Sequence, residues 1–133
     1  MLFRSGVVGI WLLISATGES SPARARTWFD SVLKVKANLF KKIQHYTDQG
    51  IDFSHHFRFE YNNENDLKPI IVINGLTQSD KSVRSTQLKG LPKWYSANDV
   101  SDEAIYFRRD GSEPILMIVD PPSQTVYFEF VHL

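Results

Sequence analysis

Adjacent histidines at positions 55 and 56, followed by Glu60, have side-chain types that bind a metal ion or move a proton. They lie where aromatic and polar residues alternate, which predicts a β-strand. Because neighbouring side chains of a strand point to opposite faces, His55 and His56 cannot bind one ion without a bulge. We therefore predict no metal site, with His55 packed on the aromatic face and His56 exposed. A small metal-dependent hydrolase or nuclease that uses His56 and Glu60 is the most remote function considered.

A basic loop in the second half of the chain could bind an anionic partner. No acidic residue occurs between positions 81 and 95. The candidate partner-binding residues are four cations and the two aromatic residues that follow them: Lys81, Arg84, Lys89, Lys93, Trp94 and Tyr95. Such residues bind an acidic protein, an anionic lipid surface or, through stacking, single-stranded nucleic acid. Residues 96–133 are acidic by seven to two, so the loop could instead cover that surface, and nucleic acid is the least favoured partner.

The composition excludes or fails to support other reactive chemistry. The 133 residues contain no cysteine, which excludes disulfides, thiol nucleophiles and cysteine-bound metal centres. Neither glycine-rich phosphate-binding motif of nucleotide enzymes occurs, and most acidic residues of the second half fall at turns. Lys+Arg and Asp+Glu are 15 each, so no net charge attracts nucleic acid. We predict no catalytic residue and no cofactor, and we favour a non-catalytic protein.

One long amphipathic helix is predicted to organise the fold. Apolar residues recur at steps of three and four, and Thr27 with Asp30 three residues later matches a helix-capping pattern. The apolar stripe consists of Trp28, Val32, Val35, Leu39, Ile43 and Tyr46. This pattern predicts a helix over 27–46 that ends before Gly50, with Lys36 inside its apolar arc. The stripe could pack on a sheet, bind a protein partner or form a dimer.

Strands are predicted in the rest of the chain. About five are indicated, over 53–61, 69–74, 104–109, 113–119 and 125–131, with residues 75–103 as an irregular insert. The predicted fold class is α+β, with the long N-terminal helix packed on an antiparallel sheet in the order α-β-β-insert-β-β-β. This order resembles that of PAS-like and cystatin-like domains in element order only, so no functional residue is transferred.

An apolar run over residues 7–16 precedes the predicted domain. The run is too short to span a bilayer, and residues 1–5 match a translated sequencing-adapter end. Three interpretations stay open: a signal peptide, the end of a truncated membrane helix, or a buried segment of the core. We divide the chain into an apolar segment with its linker, 1–26, and a single α+β domain, 27–133. Basic residues after the run favour the cytoplasmic side of a membrane.

These patterns predict a non-catalytic binding or sensory module, the membrane-tethered C-terminal domain of a larger protein, on the cytoplasmic side. The alternative is a soluble cytoplasmic accessory protein that binds an acidic partner through the basic loop 81–95. A signal peptide at residues 1–25 would instead make the protein an exported one.

Overall fold

Seven strands form one antiparallel sheet in the described residues, which are 18–49, 53–82 and 90–132 of a computed structural model. The strands are β1 (Gly18–Glu19), β2 (Lys41–Gln49), β3 (Phe53–Glu60), β4 (Thr77–Ser79), β5 (Ile105–Arg109), β6 (Ile115–Asp120) and β7 (Thr125–His132). Two short α-helices accompany them, α1 (Pro22–Leu33) and α2 (Lys68–Ile73). No helix of this part of the chain has the length and apolarity needed to cross a membrane. The apolar run 7–16 lies outside the described residues.

The sheet consists of two meanders joined along their inner strands. Its spatial order is β1-β2-β3-β7-β6-β5-β4. The first meander contains β1 to β3 and the second contains β4 to β7. The full length of β3 pairs with β7, and this pairing joins the two meanders. The edge strands β1 and β4 have two and three residues, and short edges limit pairing with other chains.

The predicted long helix over 27–46 is wrong at both ends. α1 begins earlier, because Ser21 caps it by accepting a hydrogen bond from the Arg24 N–H at 3.3 Å and Pro22 occupies its first turn. It ends at Leu33, where Lys34 adopts a left-handed conformation with φ of 61°. Left-handed residues commonly end helices because they turn the chain away from the helix axis.

The chain beyond α1 forms a strand although its apolar residues keep helical spacing. Ile43, His45 and Thr47 are buried alternately along β2, which is strand periodicity. Leu39, which the predicted stripe included, is 49% exposed in a 3-10 turn. The partner or dimer surface predicted on helix 27–46 therefore has no single helix to carry it.

The sheet also has seven described strands instead of about five, and residues 69–74 are not one of them. They belong mostly to α2, which follows directly from a 3-10 turn capped by the Asn63 side chain. Pro69 lies in the first turn of α2. Backbone N–H groups of a first turn have no acceptor within the helix, so the missing N–H of proline costs no helical hydrogen bond there. The α+β class with an antiparallel sheet is confirmed. The order α-β-β-insert-β-β-β is wrong, and with it the likeness to PAS-like and cystatin-like domains.

Both faces of the sheet are covered over its centre. α1 packs on one face and buries Ala25, Phe29 and Leu33 there. The Phe29 ring lies 5.3 Å from the ring of Phe40 and 4.9 Å from that of Phe59, measured between centroids. The segment 90–104 lies over the opposite face, where the buried cluster is Tyr95, Ala97, Leu116, Ile118 and Tyr127.

Candidate functional site

Under α1, a serine and two histidines form a continuous hydrogen-bonded relay. Ser20 Oγ lies 2.6 Å from His45 Nδ1, and His45 Nε2 lies 2.9 Å from His55 Nδ1. The Trp28 ring covers both imidazoles, at centroid distances of 5.7 Å and 4.6 Å. Two tautomer assignments satisfy both hydrogen bonds, and both rings are neutral in each of them. His55 is thus packed on the aromatic face, as its position in the strand indicates.

The relay has the spacing of an activated serine, but its histidine is too weak a base for that role. Burial, together with smaller contributions from the neighbouring imidazoles and Arg24, lowers the pKa of His45 to about 3. Burial also lowers the pKa of His55 to about 4. Efficient general bases have a pKa near the working pH. We therefore assign the relay a structural role, which is to fasten Ser20, directly before α1, to β2 and β3.

His56 is buried on the opposite face, so its predicted exposure is wrong. Its Nε2 atom lies 3.2 Å from Glu129 Oε1 on the neighbouring strand β7, and the Tyr95 ring packs edge-on against the imidazole. Glu60 lies on the same face at the other end of β3, next to Lys42 and Arg58. The described residues contain no group of three or more side chains that could hold a metal ion. The pair His56 and Glu60 is therefore not brought together.

A groove runs along the outer side of β2, where the sheet edge is open. β1 pairs only with Tyr46 and Thr47, so no strand of the described chain covers β2 from Lys41 to Gln44. The groove has a volume of about 420 Å³, and we call it the β2 groove. It is lined by Pro22, Arg26, Lys42, Ile43, Gln44 and Arg58.

Three cations line the β2 groove, and one carboxylate lies within ion-pair distance of two of them. Glu60 Oε2 lies 3.7 Å from Lys42 Nζ and 3.6 Å from Arg58 Nη1, although Glu60 does not line the groove. Arg26 is exposed on α1 and forms no ion pair with another described residue. The formal charge of this set is +2. Its geometry can hold an anionic group.

The predicted partner-binding residues of the basic loop are divided by the structure. Lys81 and Lys93 are exposed, and Trp94 is half-buried against the second core cluster. Tyr95 is buried between His56 and Tyr127, so its ring is part of the core. Arg84 and Lys89 lie outside the described residues. Lys81 follows β4, and β4 and β2 lie near opposite edges of the sheet, so the structure does not bring Lys81 to the β2 groove. Lys93 is not among the residues that line the groove.

An apolar surface surrounds α2. Val72 is 76% exposed and Ile73 is 51% exposed, while Ile71 and Ile105 line a small cleft of about 130 Å³ beside them. The Asn74 side chain donates hydrogen bonds to the carbonyl oxygens of Leu33 and Ile70, which fastens α2 to the end of α1. Exposed apolar clusters often mark interaction surfaces.

Comparison of this chain with protein-family models, curated proteins and solved structures found no match.

The β2 groove was missed by sequence reasoning because its residues come from three separate elements. Arg26 and Lys42 stand out in the sequence only as two of several basic residues after the apolar run. Arg58 belongs to β3, and only the register of β2 with β3 places Gln44 opposite it. The register of β2 and β3 also depends on a bulge between Lys41 and Gln44, and no local turn signal announces it.

Proposed function

We propose that this chain is a non-catalytic binding domain tethered to a membrane, with the outer side of β2 facing anionic headgroups. One observation carries the proposal: the first described strand pairs with β2, at an edge of the sheet that carries several basic residues. Gly18, the first described residue, pairs with Thr47 of β2, so the apolar run 7–16 precedes this edge closely in the sequence. We define the basic edge as Arg24, Arg26, Lys41, Lys42 and Arg58.

The distribution of charge supports this orientation. Anionic lipids attract basic residues near a membrane surface by about 1 kcal/mol per residue. The β2 side of the sheet carries the five cations of the basic edge against three acidic residues, Glu19, Asp48 and Glu60. The β4–β5 side carries five acidic residues against three cations: Asp80, Asp99, Asp102, Glu103 and Asp110 against Lys81, Arg108 and Arg109. A membrane surface would therefore attract the side that holds Gly18, the first described residue, and repel the other side.

Vesicle sedimentation of the full chain tests the proposal. We expect the protein to sediment more strongly with vesicles of phosphatidylcholine and phosphatidylserine than with phosphatidylcholine alone. Lys41→Gln at the basic edge should weaken binding to the anionic vesicles about fivefold, since it removes one attracted charge. The matched variant Arg108→Gln, exposed on β5, should bind as the wild type does. A chain that stays in the supernatant with both vesicles, or ignores lipid charge, would contradict the proposal.

A second candidate function is binding of an acidic partner through the basic loop 81–95. It is favoured by the exposure of Lys81 and Lys93 at its two ends. We expect poly-L-glutamate, used as a probe in calorimetry, to bind the wild type and to bind a Lys89→Glu, Lys93→Glu variant about tenfold less tightly, because two attractive charges become repulsive. Equal binding of both proteins would remove this candidate, and a Lys41→Gln variant serves as the control for charge outside the loop.

A further inference from the structure

We propose that the β2 groove binds a phosphate monoester group, supplied by an anionic lipid headgroup of the phosphatidic acid type. The inference rests on the proposed function, because the membrane places such headgroups beside this edge. It goes further by naming the group that is recognised and the residues that recognise it. Free phosphate has the same chemistry as the headgroup, so the experiment below separates the two sources.

The charge and hydrogen-bond donors of the β2 groove suit a phosphate monoester. Such a group carries between one and two negative charges at neutral pH and presents three oxygen acceptors. Arg26, Lys42 and Arg58 approach the groove from α1, β2 and β3, so their donors come from three elements. The guanidinium groups can donate two parallel hydrogen bonds to phosphate oxygens, while the lysine supplies a point charge.

One of these cations, Arg58, is positioned before a ligand arrives. Its side chain is 24% exposed, and its Nη1 atom lies 3.6 Å from Glu60 Oε2 and 3.5 Å from the Gln44 side-chain oxygen. Lys42 lies 3.7 Å from the same carboxylate and is 69% exposed. A prepositioned donor loses less conformational freedom on binding than a free surface lysine does. Arg58 therefore distinguishes the groove from an ordinary patch of exposed charge.

The β2 backbone is distorted where Lys42 enters the groove. Its φ is 52°, in the left-handed region that residues other than glycine rarely adopt, and it lies within the bulge between Lys41 and Gln44. Bulges redirect side chains at sheet edges and also prevent pairing with other chains. Protection of the sheet edge would by itself explain a bulge that carries lysines. It does not explain why Arg26 and Arg58 both line the same groove.

Vesicles matched for surface charge provide the decisive comparison. The full chain is titrated with phosphatidylcholine vesicles containing phosphatidic acid, and with vesicles containing phosphatidylserine at equal surface potential. Inorganic phosphate is titrated separately and followed by thermal shift. We expect the wild type to prefer phosphatidic acid about tenfold, since charge-assisted hydrogen bonds add to the general attraction. Arg58→Gln and Arg26→Gln should each bring this ratio close to one.

Lys41→Gln is the matched control, because Lys41 is an exposed cation of the basic edge that does not line the groove. It should weaken binding to both vesicles and leave their ratio unchanged. Arg26 is exposed, so Arg26→Gln keeps the test valid if Arg58→Gln does not fold. A wild type that binds both vesicles equally, or groove variants that keep the preference, would overturn the phosphate site while membrane binding stands. Phosphate stabilisation that the groove variants lose, without vesicle binding, would confirm the site and refute the membrane proposal.

Discussion

Between about pH 6.5 and pH 4.5 the protein should lose roughly 5 kcal/mol of its free energy of unfolding through His45 and His55 alone. Burial lowers the pKa of His45 to about 3 and that of His55 to about 4 in the folded chain, below the ordinary value of 6.5. In this interval the unfolded chain therefore binds two protons that the folded chain does not bind. The stabilisation is fully present above pH 6.5 and falls as the pH decreases.

Besides burial, the hydrogen bonds of the relay oppose a second proton in the folded chain. The first proton enters His55, whose pKa is the higher of the two, and its Nδ1 then donates to His45 Nε2 while His45 Nδ1 donates to Ser20. A second proton on His45 would place two N–H groups against each other over the 2.9 Å that now separate His45 Nε2 and His55 Nδ1. Doubly protonated rings under Trp28 should therefore separate and loosen α1.

Urea unfolding at several pH values measures this effect. Two protons taken up on unfolding correspond to a change in the free energy of unfolding of about 3 kcal/mol per pH unit. His55→Gln should remove about half of this slope. The carboxylates are common to both proteins, so their contribution cancels in the comparison. A His55→Gln slope equal to that of the wild type would show that the relay does not govern acid stability.

Phe29→Ala should cost about 3–5 kcal/mol of the free energy of unfolding. The Phe29 side chain is fully buried, and its ring contacts those of Phe40, Phe57 and Phe59 at centroid distances of 4.9 to 5.9 Å. Alanine would leave a cavity between α1 and the sheet that these aromatic rings cannot fill. The total free energy of unfolding of a small domain is about 5–15 kcal/mol, so the melting temperature of the variant should be far below that of the wild type.

The control for Phe29→Ala is Leu39→Ala, which truncates an apolar side chain that is already half-exposed. It should cost less than about 1 kcal/mol, because little apolar surface returns to water. Chemical denaturation monitored by tryptophan fluorescence reports both variants, and Trp28 on α1 is a local probe. Equal losses in the two variants would mean that α1 does not provide the core contacts described.

Local periodicity predicted the C-terminal strands but not the extent of the first helix. The predicted strands over 104–109, 113–119 and 125–131 lie within two residues of β5, β6 and β7. The helix over 27–46 was wrong because the spacing of Leu39 and Ile43 continues the stripe by chance across a real helix end. Lys36 inside the apolar arc was the sequence signal against that helix. The Asp30 carboxylate accepts a hydrogen bond from the Ala37 N–H. This bond forms only because the chain turns after α1, so it could not be predicted from local spacing.

The buried polar groups were less predictable than the strands, because strand pairing brings them together. Alternation alone separates His55 from His56, and it places them on opposite faces as observed. Their partners, His45 and Glu129, are determined by the registers of β2 with β3 and of β3 with β7. The cations of the β2 groove depend on register in the same way. The sequence therefore identified individual histidines and cations, but it did not show which of them lie together in the folded chain.

The central place of β7 has a consequence for the synthesis of this protein. Its pairs with β3 join residues that are about 65 to 79 positions apart, and such distant contacts form slowly. While the ribosome is still translating the second meander, β3 has no partner on its inner side, and its aromatic residues lack the contacts that β7 provides. The first meander therefore has an unpaired inner strand until β7 emerges, and chains with such an edge are prone to aggregate.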